Sequence, residues 1–151
     1  MLRTFGRPDV VQLAPALAAL ARRRGLVLLV GEDATLAAQV GARGVHLPQR
    51  RWRDLARLRL RHPGWWLTLA AHDSAALRRA RACGADAAFL SPAFPSASAS
   101  AGAPLGPCRF AGMARSGGLP IYALGGVTAR TAHRLVDTGV AGLAAVEALR
   151  T

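Results

Sequence analysis

The chain has 151 residues, of which 52% are hydrophobic, and a formal net charge of +12. This hydrophobic content excludes a disordered chain, and the length predicts a single domain over residues 1–151 with a buried core. Every apolar run is shorter than the ~18 residues of a membrane span, and the first residues do not resemble a secretory signal.

The positive charge comes entirely from arginine, because the sequence contains no lysine. A basic chain can bind nucleic acid, but these arginines are scattered and few aromatic residues lie among them. Compositional bias of the genome explains them better, so nucleic acid is not expected as a partner. Cys83 and Cys108 belong to no disulfide or zinc motif, which predicts a reducing compartment, the cytoplasm.

Along the first half of the chain, the spacing of apolar residues alternates between helical and extended patterns. It predicts helix, strand, helix, strand, helix and strand in turn, over 12–24, 26–30, 33–40, 44–47, 52–61 and 65–70. The first helix is expected to bury a stripe made of Leu13, Leu17, Leu20 and Ala21. The run at 26–30 is expected to be a strand covered on both faces.

The second half continues the alternation. A helix capped by Asp73 or Ser74 is followed by a strand at 87–90, a loop to about Gly106 and a helix at 107–115. A strand at 121–124, a helix capped by Thr128, a strand at 142–146 and the start of a helix at 147–150 complete the chain. The helix after Thr128 is expected to turn Ala132, Leu135 and Val136 inward and to end at Gly139.

Six strands that alternate with helices predict an α/β fold with a parallel sheet and right-handed crossovers. The candidates are an open doubly wound sheet and part of a (β/α)8 barrel. No G-x-G-x-x-G follows the first strand, which argues against a dinucleotide fold. Short units, with loops suited to phosphate after late strands, favour the barrel.

Two of these loops predict an anion site. Residues 91–96 follow one buried strand, and Gly125 and Gly126 follow the next. Glycine lets the backbone approach a ligand and leaves N–H groups exposed where a helix begins, which suits phosphate. Plain turn chemistry would explain the same glycines equally well.

Six segments, in order, resemble the family of thiamine phosphate synthase and thiazole tautomerase. They are 41–49 (GARGVHLPQ), His72, 92–96 (PAFPS), 104–106 (PLG), 123–127 (ALGGV) and 142–146 (GLAAV). The resemblance covers nearly the whole chain and implies a TIM-barrel-type (β/α)8 fold, here incomplete, with about six β/α units. Leu2-Arg3 resembles the end of the family's second strand. The true start could lie upstream, a partner or second copy could cover the exposed sheet edges, or the sheet could be open and altered.

The resemblance implies a small phosphorylated thiazole or pyrimidine as ligand. It assigns phosphate binding to Ser96, Ser98, Gly125 and Gly126, and substrate binding to Arg3 and Glu32. In the synthase reaction, magnesium and basic groups hold the departing pyrophosphate, so Mg²⁺ is expected only if that reaction survives.

Several family positions are altered. Arg51 stands where a second metal-binding aspartate is expected, and Ala99 stands where the phosphate loop should carry lysine. Met1 and Phe5 replace a glutamine and a lysine, and Glu147 replaces a small serine-like residue. These changes predict a degraded pyrophosphate and metal site, and no protein metal ligands are assigned.

His72 matches the histidine that the tautomerase is thought to use for proton transfer, and imidazole titrates near physiological pH. A surface or helix-capping histidine beside Asp73 is the alternative. His46 is expected to point into the barrel or to pack against it. Two classes of function remain open: an enzyme, better matched to the tautomerase than to the synthase, and a non-catalytic family member that binds a phosphorylated ligand or a partner chain.

Overall fold

The computed structural model describes residues 1–3, 8–96 and 102–146. Its centre is one parallel sheet in which neighbours in the sequence are neighbours in space. The six strands are β1 (Leu29–Gly31), β2 (Gly44–Leu47), β3 (Trp66–Ala71), β4 (Ala87–Leu90), β5 (Ile121–Ala123) and β6 (Gly142–Leu143). The parallel α/β prediction is therefore confirmed.

A helix connects each strand to the next and packs on the outer face of the sheet. The α-helices are α1 (Pro8–Arg23), α2 (Ala34–Gln39), α3 (Asp54–Arg61), α4 (Ser74–Ala82), α5 (Gly106–Ser116) and α6 (Ala129–Ala132). Short 3-10 turns at Gln49–Arg51 and His133–Leu135 precede α3 and extend α6. None of the helices within the described ranges is long and apolar enough to cross a bilayer.

The main core lies between the sheet and these helices. Val30, Val45 and Leu67 point to this side and are fully buried, as are Leu55 of α3 and Leu77 of α4. Alternate residues of a strand face opposite sides of a sheet, so the residues between them line the inner face.

The inner face carries a polar and aromatic cluster. The imidazole of His46 lies edge-on to the ring of Phe89, with centroids 5.0 Å apart, and Phe89 stacks on Tyr122 at 5.3 Å. His46 Nδ1 lies 3.0 Å from Thr68 Oγ1. His46 therefore lies on the inner face of the sheet, the side that was expected for it.

The sheet does not close into a barrel within the described residues. Leu2 makes a single parallel bridge to Val30, with its N–H donating to the Leu29 carbonyl at 2.8 Å. Leu2 therefore takes the place of a strand beside β1, in line with its resemblance to the end of a preceding strand. An apolar cavity of about 450 Å³ on the inner face is lined by Leu29, Phe89 and Tyr122, among others.

Two expectations about the start of the chain are wrong. Helix α1 buries Ala14, Ala18 and Ala21, whereas the leucines of the predicted stripe are 37–56% exposed. The helix therefore turns its alanine face to the core, and Ala21 is the one member of the predicted stripe that this face includes. Leu26 and Val27 lie outside β1 and are exposed, because β1 pairs with β2 only from Leu29 onward.

The other differences concern the end of the chain. Strand β6 has only two residues, and α6 has four before it tightens into the 3-10 turn. Thr128 caps α6 as predicted, whereas Val136 is 67% exposed and not inward. The predicted helix at 147–150 lies outside the described residues.

Candidate functional site at the carboxyl rim of the sheet

All six strands run in the same direction, so the loops that follow them meet at one rim of the sheet. Most of the predicted site residues lie there. They fall into two groups along the rim: one group follows β3, β4 and β5, and the other follows β1 and β2. We call these the β3–β5 sector and the β1–β2 sector.

His72 follows β3 and is held from two sides. Its ring Nδ1 lies 2.8 Å from the carbonyl oxygen of Ser91, which follows β4. A carbonyl can only accept, so Nδ1 is the donor in this contact, and in the neutral imidazole Nε2 is then the nitrogen with the free lone pair. The Ser91 hydroxyl oxygen also lies 3.3 Å from Nδ1. The His72 backbone N–H donates to Gln49 Oε1 at 2.9 Å. His72 is exposed, and its Nε2 has no hydrogen-bond partner among the described residues.

Next to His72, the loop after β4 packs on the glycine turn after β5. The N–H of Ala93 donates to the Leu124 carbonyl at 2.8 Å, and that of Phe94 donates to the Gly125 carbonyl at 3.0 Å. The two predicted phosphate loops therefore meet at one end of the sheet. Ser96 is half-buried at the end of the first loop, and Ser98 lies outside the described residues.

Glycine is required at both turn positions. Gly125 and Gly126 have φ angles of +89° and +64°, a backbone conformation that residues with a side chain rarely adopt. A Cβ on Gly125 would lie 2.8 Å from Pro92 Cα, and one on Gly126 would clash with the Pro95 carbonyl oxygen. Turn geometry and loop packing thus explain both glycines without a ligand. Within the described ranges, however, neither glycine N–H donates a hydrogen bond, so both remain available to an anion.

Helix α6 adds less to this site than the sequence predicts. It has four residues, and the capping box between Thr128 and Thr131 already uses the N–H of Thr128. The glycine turn therefore lacks the dipole of a longer helix, which would attract an anion to this site.

The β1–β2 sector is occupied by ion pairs. Glu32 has a φ of +63°, and its carboxylate binds Arg50 at 2.7 Å. Arg51 donates to Asp54 Oδ2 at 2.6 Å and to the Glu32 carbonyl at 2.8 Å. Arg3 lies alongside Gly31 at the same edge.

These residues do not fit a magnesium site. Mg²⁺ needs several hard oxygen ligands in an octahedral arrangement. Here the carboxylate of Glu32 is engaged by one guanidinium, and Arg51 lies against the same residue. Across residues 1–3, 8–96 and 102–146, no group of three acidic, histidine or cysteine side chains could hold a metal ion.

Burial, together with the charge at this edge of the sheet, affects the pKa of His46. Burial, and then the positive charges of Arg3 and the N-terminus, lower the pKa of His46 from 6.5 to about 4. His46 is therefore a neutral group of the inner face at physiological pH.

In the β3–β5 sector, the N–H of Ala76 is the main cause that lowers the pKa of Asp73 below its ordinary value. The Gln49 amide acts in the same direction.

Sequence reasoning missed three parts of this site: the Glu32–Arg50 pair, the role of the Ser91 carbonyl and the position of Gln49. The partners are 18 to 24 residues apart in the chain, and only the strand register brings them together. Gln49 did stand inside a matched segment, but nothing in that match points to His72.

An open parallel β/α sheet with its loops gathered at the carboxyl rim defines a TIM-barrel-type α/β protein. The family model described as thiamine monophosphate synthase matches residues 2–149. The chain belongs to that family.

The thiamine-phosphate synthase of Thiobacillus denitrificans is 37% identical over 141 residues, which is 90% of this chain and 65% of that protein. The corresponding protein of Chlorobium luteolum is 30% identical over 148 residues, 97% of this chain and 70% of that protein. The chain thus spans about two thirds of the length of these curated relatives.

Solved structures confirm the fold. The thiamine phosphate pyrophosphorylase of Pyrococcus furiosus superimposes with a TM-score of 0.77 at 21% identity, covering 92% of this chain and 66% of that one. An archaeal fructose 1,6-bisphosphate aldolase superimposes with a TM-score of 0.61 at 15% identity, covering 97% and 80%.

Proposed function

We propose that this chain binds a small phosphorylated heterocycle, a thiazole phosphate, at the β3–β5 sector and isomerises it by metal-independent proton transfer through His72. The observation that carries the proposal is the Nδ1 contact of His72 with the Ser91 carbonyl, because in the neutral imidazole it leaves Nε2 as the unprotonated nitrogen at the rim. A neutral imidazole can take a proton from one ring position and return it at another.

The surroundings of His72 support the same ligand. The unpaired N–H groups of Gly125 and Gly126, with the hydroxyl of Ser96, would bind the phosphate, and Ser98 is proposed to join them. The inner-face cavity reaches Leu124, directly before this turn, although its lining includes neither His72 nor the two glycines. Its volume of about 450 Å³ and aromatic lining suit a small heterocycle.

The synthase reaction is the weaker candidate, because it needs a cation to hold pyrophosphate. Glu32 would first have to leave Arg50, and Arg51 would repel the metal. Arg3 and Glu32 therefore remain predictions as substrate-binding residues. The isomerisation needs none of these groups.

The experiment is a proton NMR assay of thiazole-phosphate isomerisation in buffer containing EDTA. His72→Gln should lower kcat by roughly 10²- to 10⁴-fold, the usual contribution of a general acid–base group. The matched control is His133→Gln, since His133 is an exposed histidine of the 3-10 turn after α6. Full activity of His72→Gln would exclude His72 from the mechanism.

A non-catalytic family member that binds the same ligand is the second candidate. It is favoured by one observation: Pro92 and Pro95 pack on the glycine turn closely enough to explain both glycines structurally. The NMR assay separates the candidates, because a binding protein would perturb the ligand resonances without converting it.

Assembly and location extend the proposal. A second copy is proposed to cover the open edges beside Leu2 and β6, and light scattering of the purified protein would detect it. Cys83 and Cys108 are both free thiols, which supports a reducing compartment, the cytoplasm.

A further inference from the structure

Gln49 connects the turn after β2 to the loop that carries His72. It begins the 3-10 turn Gln49–Arg51, two residues after the end of β2. Strands β2 and β3 are paired in parallel, with Leu47 opposite Leu69, so the two loops lie side by side at the rim. The Gln49 side chain spans the gap between them.

One amide group makes both contacts across this gap. Gln49 Oε1 accepts the hydrogen bond from the His72 N–H at 2.9 Å, and Nε2 donates to Asp73 Oδ2 at 3.4 Å. Asp73 Oδ1 in turn accepts from the Ala76 N–H at 2.6 Å and caps α4. The backbone of the histidine is thereby tied to β2 on one side and to α4 on the other.

The ring of His72 has a separate attachment. Its Nδ1–H donates to the backbone carbonyl of Ser91, the residue that directly follows β4. His72 is exposed, and its Nδ1 also lies 3.3 Å from the Ser91 hydroxyl oxygen, so both ring contacts depend on where the His72 backbone is held. Which ring nitrogen carries the proton is set by the bond that the other atom makes.

We infer that Gln49 is a positioning residue: it fixes the 72–73 loop so that His72 keeps its proton on Nδ1 and presents an unprotonated Nε2. This role rests on the proposed function only for its consequence in catalysis. The amide acts through geometry and does not touch the reacting atoms.

The test compares Gln49→Met with Gln12→Met in protein with ¹⁵N-labelled histidine. Methionine keeps the length of glutamine but removes the donor and the acceptor. Gln12 is exposed on α1, so it controls for the change of side chain. In Gln49→Met, the imidazole ¹⁵N shifts of His72 should move away from the Nδ1–H pattern. Amide exchange at His72 should rise roughly five- to tenfold, as expected for one lost hydrogen bond.

Unchanged His72 ring shifts and unchanged amide exchange in a folded Gln49→Met protein would overturn the inference. So would equal changes in Gln12→Met. If Gln49→Met unfolds, Gln49→Glu serves instead, because its carboxylate still accepts from the His72 N–H but repels Asp73. In Gln49→Glu, amide exchange at His72 should stay slow and the pKa of Asp73 should rise. Fast exchange at His72 together with an unchanged Asp73 pKa would count against the role.

These readouts need no turnover, so they are independent of the proposed function. If the shifts change as expected but the unaltered protein isomerises nothing, the proposed function fails and the role of Gln49 stands. If both hold, Gln49→Met should lower kcat with little change in KM, because it disturbs the base and not the phosphate contacts.

Discussion

The two sectors of the carboxyl rim are built from the same units but differ in what they leave unpaired. In the β1–β2 sector, Glu32, Arg50, Arg51 and Asp54 neutralise one another. In the β3–β5 sector, the Nε2 of His72 and the glycine N–H groups have no partner among the described residues. A rim that satisfies its charges internally has little to offer a ligand, whereas one that holds free donors and a free base is suited to bind and react.

The largest effect is expected at Gly126. Gly126→Ala adds a Cβ where the Pro95 carbonyl lies and forces a side chain into a positive φ. Strain and displacement of the loop should lower the free energy of unfolding by about 3 kcal/mol, measured by urea denaturation.

Gly84→Ala is the matched control for this change. Gly84 also has a positive φ, +79°, but open space where its Cβ would be. It should lose only about 1 kcal/mol. Equal losses at Gly84 and Gly126 would show that the loop at 92–95 does not pack on the turn as described.

A second large effect should follow the titration of His46 beneath the β1–β2 sector. The pKa of His46 is about 4 in the folded protein, whereas its ordinary value, expected in the unfolded chain, is 6.5. On acidification the unfolded chain therefore binds the proton first. Stability is then complete above pH 6.5 and falls by up to about 3 kcal/mol as the pH drops toward 4.

His46→Gln should flatten this slope in denaturation curves recorded between pH 4 and 7. His133→Gln on the surface should leave the slope in place. An unaltered slope in His46→Gln would mean that the buried imidazole of His46 is not the group that causes the loss of stability in acid.

A smaller effect compares the two sectors directly, because an aspartate caps the helix in each. Asp33 Oδ1 accepts from the Leu36 N–H at 2.8 Å, and Asp73 Oδ1 accepts from the Ala76 N–H at 2.6 Å. Replacement of either by alanine should cost about 1 kcal/mol in thermal unfolding. Only Asp73→Ala should also disturb the His72 ring resonances, since only Asp73 binds Gln49. A change of the His72 ring resonances in Asp33→Ala would show that the two sectors are structurally coupled, which contradicts the description of two separate sectors.

The smallest effect is expected for Arg50→Ala. The Arg50 and Glu32 side chains are 71% and 42% exposed, and such surface pairs contribute about 0.5 kcal/mol or less. Thermal denaturation should thus be almost unchanged, and isomerisation should keep its rate. A large loss of activity would assign the β1–β2 sector a part in catalysis.

Much of the fold could be predicted from the sequence because local signals agree with the packing. Strands β2 and β4 have the predicted bounds, since each follows a glycine helix stop and is a short apolar run. The run at 26–30 is a poor guide to the strand because its first three residues lie before the pairing with β2 begins at Leu29. The pattern predicts a stripe of three leucines and Ala21 in α1, whereas the helix buries Ala14, Ala18 and Ala21.

The candidate site was less accessible to sequence reasoning. His72 and the two loops could be placed at one rim, because parallel strands impose it. The tautomer of His72 depends on a carbonyl 19 residues away, and the fate of Glu32 depends on an arginine 18 residues away. Such contacts follow from register and side-chain reach, and a linear pattern specifies neither.

The most direct measurement is an amide NMR titration with a thiazole phosphate in the presence of EDTA. The resonances of Gly125 and Gly126 should shift with ligand, while those of Glu32 and Arg51 stay in place, and added Mg²⁺ should not tighten binding. Shifts centred on Glu32 and Arg51, or binding that requires Mg²⁺, would contradict a metal-independent site at the β3–β5 sector.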